Sequence, residues 1–463
     1  MEELTSLTAT KLAELIRTRA ISPVEVVTAY LQRIERVNPS LNAIVTLAPD
    51  ALDRAREAEK TVMRGDEVGP LHGVPLTIKD TIETQGLRTT SGSRIRQNFI
   101  PHRDATVVAR LKSAGAIILG KTNTPEMAIP YETDNPVFGR TNHPDDISRT
   151  PGGSSGGEAA AIAAGLSPAG IGSDLSGSIR VPAHFCGIVG LKPTTGRVPM
   201  DGHIPTAPLP LSLGACIGPM ARRVEDLSLL FSVIADPLAP ANHQPVSAPD
   251  LSSGNNLGGL RAGWYVNDGT APVTEETSAA VKAVVAALGN AGAETFAAAP
   301  PAVSEGSQLW IELFASASMD QLREFYRDHE SEAGPIVRSL LAKPEEAKTD
   351  MRDTRVAVQK RDRLRESLVD WMAQVPIIIA PVGATPAFRH GTRRIDVQGG
   401  QLSAFRAFSY CQTYNVFGLP SVCVPAGRSP EGLPIGVQII GRPHEDEFVL
   451  AVAAIVEKRL GHG

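Results

Sequence analysis

Short apolar segments alternate along the chain with amphipathic segments of helical spacing, and this alternation limits the fold more than any other feature. The apolar segments are bounded by glycine, proline or polar residues and are too short to be helices, which indicates β-strands. They are GVPLTIKD at 73–80, the end of DATVVARLKSAGAIILG at 104–120, PAGIG at 168–172, VPIIIAPVG at 375–383 and GLPIGVQIIG at 432–441. Strands separated by helices predict an α/β fold with a mostly parallel or mixed sheet.

The chain divides into segments that we expect to belong to a single domain, 1–463. Residues 1–65 read as amphipathic helices, one of them begun by Ser22 as N-cap and Pro23 as first helical residue. Residues 70–235 hold most of the glycine-rich turns and form the expected core. Residues 236–259 are rich in Pro, Ala, Asn and Ser and read as a linker-like loop, and 260–463 complete the domain.

Charge, cysteine content and hydropathy limit the ligands and the cellular compartment that we expect. The 45 Lys and Arg against 50 Asp and Glu leave a net charge of −5 without an extended basic run, so nucleic acid is not expected as the ligand. The four cysteines are widely spaced and form no CxxC pair, which is typical of a reducing compartment. No apolar stretch approaches the length of a membrane span, so we expect a cytoplasmic protein that does not enter membranes; a homo-oligomer is compatible with the sequence.

Two motif matches are disfavoured by the residues around them. The run from Gly115 to Thr122 fits the P-loop pattern, but its central residues AIIL look like a strand, whereas a phosphate loop needs a strand before its first glycine. The run from Gly152 to Gly156 fits GxSxG, which would make Ser154 the nucleophile of a hydrolase elbow. That elbow must follow a hydrophobic strand, and the preceding NHPDDISRTP is polar.

A third motif places a serine after a strand and before a helix. In GSDLSGSIR at 172–180, the backbone N–H groups of Leu175, Ser176, Gly177 and Ser178 would converge on one point, as a developing oxyanion requires. An ordinary capping serine is the alternative interpretation of Ser178.

Spacing alone leaves two interpretations for the base that would activate such a serine. His143, His184 and His203 lie in loop-like contexts without an evident partner, and no HExxH cluster suggests zinc. Lys79 ends the apolar run VPLTI, where burial would lower its pKa until the neutral amine could accept a proton. By spacing alone, a surface lysine is at least as good an interpretation.

Several of these motifs together closely resemble the amidase signature family over about residues 5 to 460. The resemblance is carried by GVPLTIKDTIETQGLRTTSGS at 73–93, DATVVARLKSAGAIILGKTNTPE at 104–126, PGGSSGG at 151–157, GSDLSGSIRVPAHFCGIVGLKPTTGRVP at 172–199 and GLPIGVQIIGRP at 432–443. It implies one large mixed sheet between helical layers. It also implies a Ser-cisSer-Lys triad, in which Lys79 is the base, Ser154 the bridging serine in a cis peptide and Ser178 the acyl nucleophile.

The resemblance also implies residues that support the triad. Ser155, Asp174 and Arg180 would hold the loops, and Ser176 stands where many relatives have glycine, beside the predicted oxyanion site. Five apolar side chains, three in or just after these motifs and two in the stretch 300–370, are candidates for the substrate pocket. They are Met127, Tyr131, Phe185, Trp310 and Phe314.

The sequence therefore predicts an ATP-independent amidase, without cofactor or metal, that hydrolyses a small carboxamide or aryl amide through a seryl acyl-enzyme. The alternative is the glutamine-hydrolysing subunit of a tRNA-dependent amidotransferase. It ranks lower because residues 300–370 show no convincing site for the charged groups of glutamine. A P-loop nucleotide-binding protein is the remote alternative.

Overall fold

An 11-stranded mixed sheet runs through the computed structural model, which describes residues 2–237, 256–343 and 351–461. Of the predicted linker-like loop at 236–259, residues 238–255 lie outside this part of the chain. The strands of the sheet and of a small hairpin are β1 Ile44–Leu47, β2 Pro75–Lys79, β3 Ile117–Thr122, β4 Ala169–Asp174, β5 Val189–Lys192, β6 Cys216–Ala221, β7 Arg261–Trp264, β8 Glu294–Ala297, β9 Ile377–Pro381, β10 Arg394–Val397, β11 Gly400–Ser403, β12 Ser421–Arg428 and β13 Pro434–Ile440.

The strand order is β1-β3-β2-β4-β6-β5-β12-β13-β9-β7-β8, and β10 pairs with β11 in the separate hairpin. β2 runs parallel to both β3 and β4, and β7 runs parallel to both β8 and β9. The remaining neighbours in the large sheet are antiparallel. The predicted α/β fold with a mixed sheet is confirmed.

Helices cover both faces of this sheet. They are α1 Glu2–Ser6, α2 Ala9–Arg17, α3 Pro23–Leu41, α4 Ala51–Arg64, α5 Thr106–Ser113, α6 Gly156–Ala163, α7 Arg180–Cys186, α8 Val224–Ile234, α9 Glu275–Asn290, α10 Val303–Trp310, α11 Ser316–Tyr326, α12 Pro335–Leu341, α13 Met351–Met372, α14 Ala404–Ala407, α15 Ser409–Val416 and α16 Asp446–Arg459. A π-helical turn, Ile311–Ala315, joins α10 to α11. As predicted, Ser22 caps α3 by accepting a hydrogen bond from the Val24 N–H at 3.0 Å.

The apolar side chains form a core on each face of the sheet. In β9, Ile377 and Ile379 belong to one core, with α3, α8, α9 and α16, while Ile378 belongs to the other, with α7, α10 and α15. Successive residues of a strand point to opposite faces, so this division follows from the pleat. Leu76 and Ile78 of β2 lie in the first core, which directs the side chain of Lys79 to the opposite face, where the candidate site lies.

The strand β3 also settles the P-loop match. Ile117–Thr122 is a continuous buried strand that includes the Gly-Lys-Thr triplet. The lysine of the motif therefore lies inside a sheet instead of at the start of a helix, and the motif does not form a phosphate loop. Within the described residues, no helix is long and apolar enough to cross a membrane.

Candidate active site

Lys79, the last residue of β2, is fully buried, with its amine held between two serine hydroxyls. Its Nζ lies 2.6 Å from Ser154 Oγ and 3.0 Å from Ser173 Oγ. Burial lowers the pKa of Lys79 from 10.5 to about 7, although the carboxylates of Asp174 and Glu158 oppose the shift. The interpretation as a surface lysine is therefore wrong, and much of the amine is neutral near neutral pH.

Ser154 lies in a loop that brings it under Lys79. The peptide bond between Gly153 and Ser154 is cis, and the Ser154 carbonyl accepts a hydrogen bond from Thr124 Oγ1 at 3.0 Å. The next residue, Ser155, donates its N–H to the Ser178 carbonyl at 3.1 Å. Residues 123–155 contain no strand, so the nucleophile elbow that GxSxG requires does not form around Ser154.

Ser178 lies in the tight turn between the end of β4 and the start of α7. The sequence predicts four convergent N–H groups in this turn, and the structure corrects one of them. The N–H of Gly177 donates to Asp174 Oδ1 at 2.7 Å and is therefore not available to an oxyanion. Within the described chain, the N–H groups of Leu175, Ser176 and Ser178 have no protein acceptor. These three are the available donors.

A buried ion pair fixes this turn from behind. Arg180 donates from Nε to Asp174 Oδ2 at 3.1 Å and from Nη2 to Oδ1 at 3.0 Å. Asp174 also accepts the N–H groups of Gly177 and Ile179 and the amide of Asn415. Burial alone would raise the pKa of the Asp174 carboxyl, but the Arg180 guanidinium holds it well below its usual range. The carboxylate therefore remains charged and keeps the turn in place.

Ser155 and Gly172 allow the loop of Ser154 to lie close against β4. Ser155 Oγ accepts the Ser173 N–H at 3.3 Å, which ties the loop to the strand. A Cβ atom at Gly172 would lie 2.8 Å from Ser155 Oγ, closer than side chains pack, so a larger residue there would displace the Ser155 side chain. Ser155 thus joins the loop of Ser154 to β4 and to Ser178, whereas Asp174 and Arg180 support the turn that carries Ser178.

His203 is a polar residue of the site that no motif in the sequence marks. Its Nε2 lies 2.8 Å from Ser173 Oγ, and Ser173 in turn contacts Lys79. His143 and His184 are also buried, and their ring nitrogens pair with backbone groups. An isolated β-bridge between His203 and Ile82, which is distant in sequence, brings His203 to the site. The residues around His203 therefore carry no local signal that distinguishes it from His143 and His184.

A cavity of about 140 Å³ opens beside the two serines. Ser154, Ser173 and Ser178 lie on its floor with the turn residues 174–176. The side chains above them are mostly apolar. They include Met127, Ala128, Ile129, Met200, Pro205, Ala207, Ala215, Trp310 and Leu322, together with the polar His203, Thr206, Ser318 and Gln321.

Two of the five predicted pocket residues, Met127 and Trp310, line this cavity, and the prediction is corrected for the other three. Tyr131 packs on Phe408 and donates its hydroxyl to the Ser176 carbonyl at 2.7 Å, behind the turn. Phe185 and Phe314 are fully buried in the core. Phe185 packs edge-on against Phe408, and Phe314 packs edge-on against Trp310. These three aromatic side chains are thus held by core packing instead of facing the cavity.

The arrangement has the parts needed for acyl transfer to a serine. The amine of Lys79, with its lowered pKa, contacts the Ser154 hydroxyl, Ser178 lies in the same cavity, and the described chain offers no acceptor to three N–H groups of the Ser178 turn. Groups of these kinds can serve as a base, a proton carrier, a nucleophile and an oxyanion site.

Comparison with known proteins identifies relatives over nearly the whole chain. The amidase family model matches residues 25–450. A glutamyl-tRNA(Gln) amidotransferase subunit of Carboxydothermus hydrogenoformans is 36% identical, over 98% of this chain and 98% of its own. An acylamidase of Rhodococcus erythropolis is 35% identical, over 97% of this chain and 95% of its own. Among solved structures, a bacterial aryl acylamidase of the amidase signature enzymes superposes with a TM-score of 0.84 at 28% identity, over 98% of this chain and 97% of its own.

Proposed function

The chain belongs to the amidase family, and we propose that it is a self-sufficient, ATP-independent amidase for small carboxamides or aryl amides, with Ser178 as its nucleophile. Members of this family hydrolyse amide C–N bonds. What we propose is therefore the role of each residue, the class of substrate and activity without a partner chain. The observation that carries it is the mostly apolar cavity above Ser178.

In the proposed first half-reaction, the neutral amine of Lys79 takes the proton of Ser154 as Ser154 takes the proton of Ser178. Ser178 Oγ then bonds to the amide carbon, and the carbonyl oxygen becomes an oxyanion that accepts N–H groups of the turn. When the C–N bond breaks, the proton returns through Ser154 to the leaving nitrogen. Ammonia or an amine departs, and the acyl group remains on Ser178.

In the second half-reaction, water replaces the amine. It gives one proton through Ser154 to Lys79, and its oxygen bonds to the acyl carbon. When the bond to Ser178 Oγ breaks, the proton returns to Ser178 and the carboxylic acid leaves. No metal, ATP or redox partner enters this balance, because water is the only co-substrate.

The cavity supports an apolar substrate. Its volume of about 140 Å³ is close to the roughly 150 Å³ of an engineered cavity that binds benzene, so it has room for about one aromatic ring. Asp174 is the only charged residue among the described lining residues, and its carboxylate is paired with Arg180. Trp310 fixes one wall by donating its Nε1–H to the Leu175 carbonyl at 2.8 Å.

The amidotransferase subunit is the second candidate, since one of the most similar relatives carries that name. Identities of 36% and 35% do not separate the two activities. Glutamine carries an α-carboxylate and an α-ammonium group, and burying either without a partner is costly. Within the described residues, the cavity presents no Lys or Arg to the carboxylate, which favours the acylamidase-like activity.

The test is ammonia release by the purified chain alone from benzamide, an aliphatic amide and glutamine. We expect turnover of benzamide without ATP or a second protein, and little or none of glutamine. Ser178→Ala, prepared in parallel, controls for contaminating amidases. A chain that is inactive on simple amides, but hydrolyses glutamine once amidotransferase partner subunits are added, would assign it to the second candidate.

A further inference from the structure

A chain of buried polar groups leads from Lys79 to a histidine that the triad does not use. Lys79 Nζ lies 3.0 Å from Ser173 Oγ, which lies 2.8 Å from His203 Nε2. The other ring nitrogen, Nδ1, lies 2.7 Å from the Pro205 carbonyl oxygen. Lys79, Ser173 and His203 are all buried.

The direction of each hydrogen bond follows from what each group can do. A carbonyl only accepts, so Nδ1 of His203 carries the proton that binds Pro205. Burial and the nearby Lys79 lower the pKa of His203 to about 4, so the ring is neutral and its Nε2 is a bare acceptor. Ser173 must therefore donate its hydroxyl proton to His203. Its oxygen lone pairs are left facing Lys79.

This direction matters because a neutral lysine amine has two N–H donors and one lone pair. If Ser173 can only accept from Lys79, it binds an N–H, and the lone pair stays directed at Ser154, 2.6 Å away. If the Ser173 hydroxyl turned around, it would donate to that lone pair and occupy the base. Ser173 therefore either leaves the lone pair of Lys79 free or binds it. The direction of the Ser173 hydroxyl, which is set by the group that accepts its proton, determines which of the two occurs.

We propose that His203 is a positioning residue that keeps the lone pair of Lys79 directed at Ser154 by holding the Ser173 hydroxyl in the opposite direction. The inference rests on the proposed function, in which Lys79 is the base. His203 also lines the cavity, so a change in KM alone would not test it. The diagnostic quantities are kcat, rescue by a residue that restores the acceptor, and coupling to Ser173.

The first experiment compares three substitutions by kcat for benzamide. His203→Leu removes the acceptor, and we expect kcat to fall about tenfold or more, part of the 10²–10⁴ that a positioned base supplies. His203→Gln places an amide oxygen near the position of Nε2, and we expect most of kcat to return. His143→Leu is the matched control, because it removes another buried histidine with hydrogen bonds on both ring nitrogens, away from Lys79. It should keep the wild-type kcat.

The second experiment tests whether His203 acts through Ser173. Without the acceptor, the misdirected hydroxyl is the damaging group, so Ser173→Ala combined with His203→Leu should be more active than His203→Leu alone. A purely structural role for His203 predicts the reverse, since two lesions would add. A double variant as active as the single one, or less active, overturns the proposal.

Folding is checked by the thermal midpoint of each variant. If His203→Leu does not fold, the pair His203→Gln and His203→Asn carries the test, because the shorter amide cannot reach Ser173 and should be impaired. Equal kcat values in wild type and in His203→Leu, or in Gln and Asn, overturn the role of His203. Failure of the wild type on every amide would instead refute the proposed function.

Discussion

Replacing Lys79 with methionine should remove the group that sets the pH dependence of activity. Burial lowers its pKa from 10.5 to about 7, so about half of the amines are neutral at pH 7. An amine with a pKa of 10.5 would be neutral in only about 0.03% of molecules, so burial raises the concentration of the base by roughly three orders of magnitude. Because the working form is deprotonated, kcat/KM should rise with pH, reach half its maximum near pH 7 and fall about tenfold per unit below it.

The assay is kcat/KM for benzamide from about pH 5 to about pH 9, followed by ammonia release. We expect Lys79→Met to lose most activity and any residual activity to lose the rise with pH. Lys79→Arg should be equally impaired, because a guanidinium stays protonated throughout this range. Lys192→Met is the matched control, since Lys192 is also fully buried but donates to the Pro193 carbonyl at 2.8 Å. It should keep the rise near pH 7. The same rise in Lys79→Met would refute the assignment of Lys79 as the base.

Three further predictions concern the serines, metals and the buried ion pair. A fluorophosphonate should form its adduct on Ser178, which peptide mass spectrometry would locate. Ser178→Ala should abolish labelling and turnover, and Ser154→Ala should slow turnover by a factor of at least about 10². An adduct on Ser154 would contradict the mechanism. Activity should survive a chelator, and a loss that zinc reverses would show a metal that the mechanism does not include. Arg180→Met should lower the free energy of unfolding in urea by about 3–5 kcal/mol, because it leaves the buried Asp174 carboxylate unpaired. Arg54→Ala, which breaks an exposed pair with Asp50, should change it by less than about 1 kcal/mol, and equal effects of the two substitutions would refute the role given to burial.

Local features of the sequence were sufficient for the elements that carry the site. The apolar run that ends at Lys79 predicts a strand, and the small residues between β4 and α7 predict the turn that presents Ser178. The polar segment before Ser154 argues against the nucleophile elbow that the GxSxG motif suggests. These predictions succeed because strand, turn and helix signals depend on residues a few positions apart. The triad assignment comes from the family resemblance instead, because the spacing of Lys79 is equally compatible with a surface lysine.

Only the tertiary structure decided which groups meet. Lys79 and Ser154 are 75 positions apart in sequence, and their contact depends on β2 lying beside β4 in the sheet. Tertiary packing also places His203 against Ser173 and buries Tyr131, Phe185 and Phe314 in the core. Strand order and the packing of distant loops set these contacts, and neither leaves a periodic signal in the local sequence, because each depends on residues far apart along the chain.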